Sequence, residues 1–71
     1  MSQTLNRYRT EGEHAGTSYE VVVDQWEGGA YVVAEVRVDG LPPRGDDDHS
    51  FESLDGAFAA GIGLARHLID H

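Results

Sequence analysis

The chain has no cysteine and no lysine, and only two prolines among its 71 residues. Without cysteine there can be no disulfide and no thiolate metal centre, so a domain this small must be held by its core or by self-association. A chain of this length hides only about 60% of the surface its unfolded form exposes. Without lysine, the five basic residues are all arginine and face 13 acids, for a formal charge of −8. Nucleic-acid binding neutralises phosphates with Lys and Arg, and anionic lipid attracts the same residues. Neither nucleic acid nor a membrane surface is therefore expected as a partner, whereas a basic protein or a cation would be attracted. Long apolar runs are missing too. The longest, Ala57 to Ala65, contains Gly61 and Gly63 and falls short of the roughly 20 residues a spanning helix needs. The first 16 residues carry no apolar segment of the kind a secretory signal requires, so a cytoplasmic location is expected.

The charge is unevenly placed. Up to Thr17, Arg7 and Arg9 cancel Glu11 and Glu13; from Ser18 onward three arginines face eleven acids. Residues 1–17 are polar and lack a sustained period. They are expected to form a flexible N-terminal tail, pinned at most by Leu5 and Tyr8. Residues 18–71 are expected to form a single βββα domain.

Two alternating segments open that domain. Tyr19, Val21 and Val23 share one face and Glu20, Val22, Asp24 and Trp26 the other; after the turn, Val32, Ala34, Val36 and Val38 oppose Tyr31, Val33, Glu35 and Arg37. Between them Gly28-Gly29 fits a two-residue type I′ turn, which needs positive φ at both positions. That turn sets Val23 opposite Ala34, Val21 opposite Val36 and Tyr19 opposite Val38 inside, with Trp26 opposite Tyr31 and Glu20 opposite Arg37 outside. Asp39 to Asp48, with two prolines, two glycines and an acid run, reads as a loop. His49 to Glu52 reads as a short third strand with Phe51 inward. Ser53 is a good N-cap for a helix running to about Ile69, with Asp55 favourably placed in its first turn. Leu54, Ala57, Phe58, Gly61, Leu64, Ala65 and Leu68 share one helical face. Ala57, Gly61 and Ala65 form a smooth ridge along it, and the cost of a mid-helix glycine, about 1 kcal/mol, points to close approach of helix and sheet. The expected fold is α+β: a three-stranded antiparallel sheet packed on one C-terminal helix.

Candidate chemistry is sparse. Asp46-Asp47-Asp48-His49 offers oxygen and nitrogen donors for a hard cation, but lacks the alternate ligand spacing, central glycine and closing glutamate of an EF-hand; a solvated loop that discourages edge pairing explains it as well. His67 and His71 have metal-ligand spacing near a helix end, where histidine also suits the helix dipole. No serine sits in a nucleophile elbow, and no glycine-rich phosphate loop precedes a helix. No cofactor and no enzymatic activity are expected. One helix can cover only one sheet face, so the other is expected to expose Val22, Trp26, Tyr31 and Val33 as a partner-binding surface.

Tyr19-x-Val21-x-Val23, the Gly28-Gly29 turn, Tyr31-x-Val33 and the helix start Ser53-Leu54-Asp55-Gly56-Ala57-Phe58 together resemble the HicB family. Gly56 stands where the family has a second acid, and Asp39-Gly40-Leu41-Pro42-Pro43 partly echoes its Pro-Asp-Leu-Pro-Gly stretch. The resemblance implies a βββα module that neutralises a small basic RNA-cleaving toxin. Family members usually add a DNA-binding segment, which is not expected here because the sequence stops at the helix. The double-stranded RNA-binding fold has related topology but needs a basic surface. The expectation is a non-catalytic, HicB-antitoxin-like module binding a protein partner or a second copy. The alternative is a small cation- or metabolite-binding protein using Asp46 to His49.

Overall fold

The computed structural model describes residues 3–70, apart from the side chains of residues 47 and 48. An antiparallel sheet packs against one C-terminal helix. The sheet has four strands rather than three, in the order β1 (Leu5–His14), β2 (Thr17–Trp26), β3 (Tyr31–Val38) and β4 (Arg44–Phe51), followed by α1 (Leu54–Asp70). Among the described residues no helix is long and apolar enough to cross a membrane.

Most of the expected tail is strand β1, a correction that begins at a turn. His14 pairs with Thr17 across Ala15-Gly16, whose φ values are +52° and +79°. Positive φ at both central residues is the type I′ geometry, whose twist matches that of the flanking strands. The type I′ hairpin therefore lies here and not at Gly28-Gly29. At the second turn Gly28 alone has positive φ, +78°, and Gly29 N–H donates to Trp26 O at 2.7 Å. That is the pattern of a type II turn, which demands positive φ only at its third residue.

The β2–β3 register follows the expected pairs from Tyr19↔Val38 to Val22↔Glu35, then shifts, so that Val23 pairs with Val33 and Gln25 with Tyr31. Ala34 is the extra residue of a β-bulge. The gain is packing: Val33 replaces Ala34 opposite Val23, and the extra methyl groups removed from water are worth about 0.8 kcal/mol each. Gly45 of β4 accommodates the bulge, since a Cβ there would stand 2.8 Å from Ala34 O. Two expected surface residues thereby change sides. Val33 is 1% exposed in the core, and Tyr31 packs on the helix side, 6.1 Å from Tyr8 between ring centres.

The core lies between sheet and helix, built from Val21, Val23, Val33, Val36 and Val38 against Ala57 and Ala65, with Phe51 at its margin. The buried helix residues are Ala57, Gly61 and Ala65, the expected ridge. Ser53 caps the helix, its Oγ accepting from Gly56 N–H at 3.0 Å. β4 begins at Arg44, well before the strand start expected at His49, because the stretch after the prolines pairs with β3, though irregularly.

Candidate interaction surface

Residues directly opposite in an antiparallel pair point to the same face. With β1 in place, the face away from the helix carries Leu5, Arg7, Arg9 and Glu11 beside Trp26, Asp24, Val22 and Glu20, and then Val32, Glu35 and Arg37. Most of it is charged and tied together. Arg7 grips its cross-strand neighbour Asp24 with two hydrogen bonds, Nε to Oδ1 at 2.8 Å and a terminal nitrogen to Oδ2 at 2.9 Å. The Arg7 hydrogen bonds hold the Asp24 carboxyl below its ordinary value, and those to Asp24 raise the Arg7 guanidinium. Arg37 donates to Glu35 two residues away and is raised by it.

Val22 does lie on this face but is 4% exposed. Its cross-strand neighbours are Arg9 and Glu35, and long charged side chains can cover an apolar residue with their stems while keeping their heads in water. Of the four residues expected to form a partner surface, Trp26 alone is exposed, at 53%, while Val22 is buried in place and Tyr31 and Val33 face the helix.

Trp26 has a companion that the sequence does not reveal. Leu5 pairs with it across β1–β2 and is 43% exposed. The two form an apolar corner at the end of the sheet. The backbone beneath is fixed: Glu27 N–H donates to Thr4 O at 2.8 Å, and Gln25 Nε2 donates to Gly29 O at 3.0 Å. No periodic signal could have paired Leu5 with Trp26, because β1 carries little apolar sequence on either face.

The acidic segment lies on β4. Asp46 Oδ1 is 2.9 Å from His49 Nδ1, and the side chains of Asp47 and Asp48 lie outside the described residues, as does His71. Among the described residues no three His, Asp or Glu side chains are grouped to hold a metal ion. An open cleft of about 660 Å³ runs along the far end of the sheet, between Glu11, Tyr19, Glu20 and Arg37 and the Leu41–Pro43 turn.

Comparison with protein-family models, with curated proteins and with solved structures finds no significant match to this chain.

Proposed function

We propose that this chain is a non-catalytic protein-interaction module that docks a basic protein partner on the Leu5–Trp26 corner, in the manner of a HicB antitoxin acting in the cytoplasm. The observation that carries the reading is the exposure of Trp26 beside Leu5 on a strand pair whose register is unbroken. Tryptophan is the residue most enriched among interface anchors, and a surface tryptophan held by fixed backbone loses little conformational freedom on binding. The net charge of −8 favours a basic partner and speeds its approach. The likeness of the Tyr19 to Val33 hairpin and the Ser53 helix start to HicB sequences supplies the class of partner, a small basic protein.

Affinity capture from host lysate with wild type and Trp26→Ala tests this. The expected result is a small basic protein retained by wild type and depleted at least tenfold by the variant, since truncating an anchor costs about 2 kcal/mol or more. Recovery of the same proteins by both forms would sink the proposal.

A further inference from the structure

We infer that two copies of this chain associate edge to edge through β1, antiparallel about a two-fold axis at Thr10, to make one eight-stranded sheet. The seam is distinct from the Leu5–Trp26 corner, because Leu5 falls beyond the paired stretch.

The order β1-β2-β3-β4 leaves two sheet edges, and they differ. β4 follows Pro42-Pro43, contains Asp46-Asp47-Asp48 and pairs irregularly with β3. These are the devices by which proteins keep an edge from accepting another strand. β1 lacks the prolines and the irregular pairing, and its charges are of both signs and cancel rather than forming a run of one sign. It is ten residues long without proline, and its ladder with β2 runs from Leu5 to His14 without a shift. The bond from Glu27 N–H to Thr4 O sets the phase of that ladder. Because hydrogen-bonded pairs alternate, the even-numbered residues of β1 bond to β2. Leu5, Arg7, Arg9, Glu11 and Glu13 then direct their N–H and C=O groups outward, and the same residues carry their side chains on the face away from the helix.

Their charges read plus, plus, minus, minus from Arg7 to Glu13. Such a strand complements itself only when turned antiparallel. With Thr10 opposite Thr10, Arg7 meets Glu13 of the second copy and Arg9 meets its Glu11, with the same contacts repeated in reverse. On the helix side Tyr8 falls opposite Gly12, over which the Tyr19 ring lies in the space a side chain would take, so the pairing sets aromatic beside aromatic. A shift of two residues either way sets Arg9 on Arg9 or Glu11 on Glu11, and a shift of one sets outer residues against inner ones. Parallel pairing in register sets like on like throughout.

Within the single chain Glu20 has Arg37 opposite it on β3, whereas Glu11, on the sheet edge, has no cross-strand cation among the described residues. Glu11 lies directly opposite Glu20 on β2, an unfavourable like-charge pair. Among the described residues Arg9, Glu11 and Glu13 make no hydrogen bond or ion pair. Arg9 of the second copy would stand beside Glu11 and so offset that repulsion. The strand is itself neutral, so the seam avoids the negative charge carried by the rest of the chain.

Sedimentation equilibrium on the full chain is expected to give twice its 7.7 kDa mass. Arg9→Glu or Glu11→Arg alone creates two symmetric like-charge contacts and should weaken association about tenfold to a hundredfold. The double variant Arg9→Glu/Glu11→Arg restores opposite signs at every pair and should recover the double mass. Thr10→Cys adds the chain's one thiol at the axis, where a cross-strand disulfide can close, so mild oxidation should link two copies; Asn6→Cys, opposite His14, should stay unlinked. Circular dichroism checks that each variant is folded, and Trp26→Ala should keep the double mass, separating this inference from the partner reading. The inference is overturned by a single-chain mass up to millimolar concentration, by single reversals that leave the mass doubled, or by a double variant that stays dissociated.

Discussion

Gly61 of α1 lies directly against Val21 of β2. A Cβ at Gly61 would stand 3.3 Å from Val21 Cγ2 and well inside contact distance of Cγ1. Gly63, one half-turn on, is exposed with nothing within 4 Å of its position. The same substitution at the two sites should therefore have opposite signs. Gly63→Ala should stabilise by about 0.5–1 kcal/mol through helix propensity alone. At Gly61 that gain is outweighed by overpacking, which costs about 1–3 kcal/mol in a tight core. Thermal melts should show Gly63→Ala above and Gly61→Ala below wild type, with about 4–8 °C per kcal/mol for a domain of this size.

Ala15 holds φ +52° in the β1–β2 turn, a left-handed conformation that costs a residue with a Cβ about 1–2 kcal/mol. Asparagine tolerates it better, and Asn-Gly is the preferred type I′ pair. Ala15→Asn should raise the urea midpoint with an unchanged slope, a gain of about 0.5–1 kcal/mol. An unchanged or lower midpoint would contradict the turn assignment.

Ser53 Oγ satisfies one of the open N–H groups at the start of α1. Ser53→Ala should destabilise the chain by about 1 kcal/mol, and Ser53→Asp should retain most of the stability. Equal melting temperatures for Ser53→Ala and wild type would show that the cap contributes nothing.

Asp24 is the carboxyl group most firmly held on the outer face. Its folded value lies below the ordinary 3.8 because of the Arg7 hydrogen bonds. The contribution to stability is therefore complete above that value and is lost as pH falls through the depressed one. Urea midpoints measured from about pH 6 to about pH 2 should decline with acid in wild type and decline less in Asp24→Asn. Parallel curves for the two proteins would show the pair to be energetically silent.

The helix and half of the hairpin were legible because local pattern and tertiary demand agree there. Ser53, the ridge of Ala57, Gly61 and Ala65, and the pairs from Tyr19↔Val38 to Val22↔Glu35 follow from spacing and capping alone. The turn end of the hairpin did not, because Val32 and Val33 are both apolar and either could serve the core. Periodicity counted back from Val38 selects Val32 and Ala34; the bulge selects Val33 and Tyr31. Tyr31 and Val33 left the expected partner surface for that reason, since a one-residue shift exchanges the two faces of a strand, whereas Val22 kept its face and is buried between Arg9 and Glu35.

The amino-acid sequence by itself determined what this chain is made to bury and what charge it carries: an alternating valine hairpin, a small-residue helix to cover it and a net charge of −8. Those properties reside in composition and short-range spacing. Only the tertiary structure decided that residues 5–14 form a strand, that Ala34 bulges beside Gly45 and that Leu5 stands beside Trp26. Each depends on a backbone meeting another backbone far away in the chain. An edge strand needs few apolar residues, because its hydrogen bonds are made by groups that every residue carries.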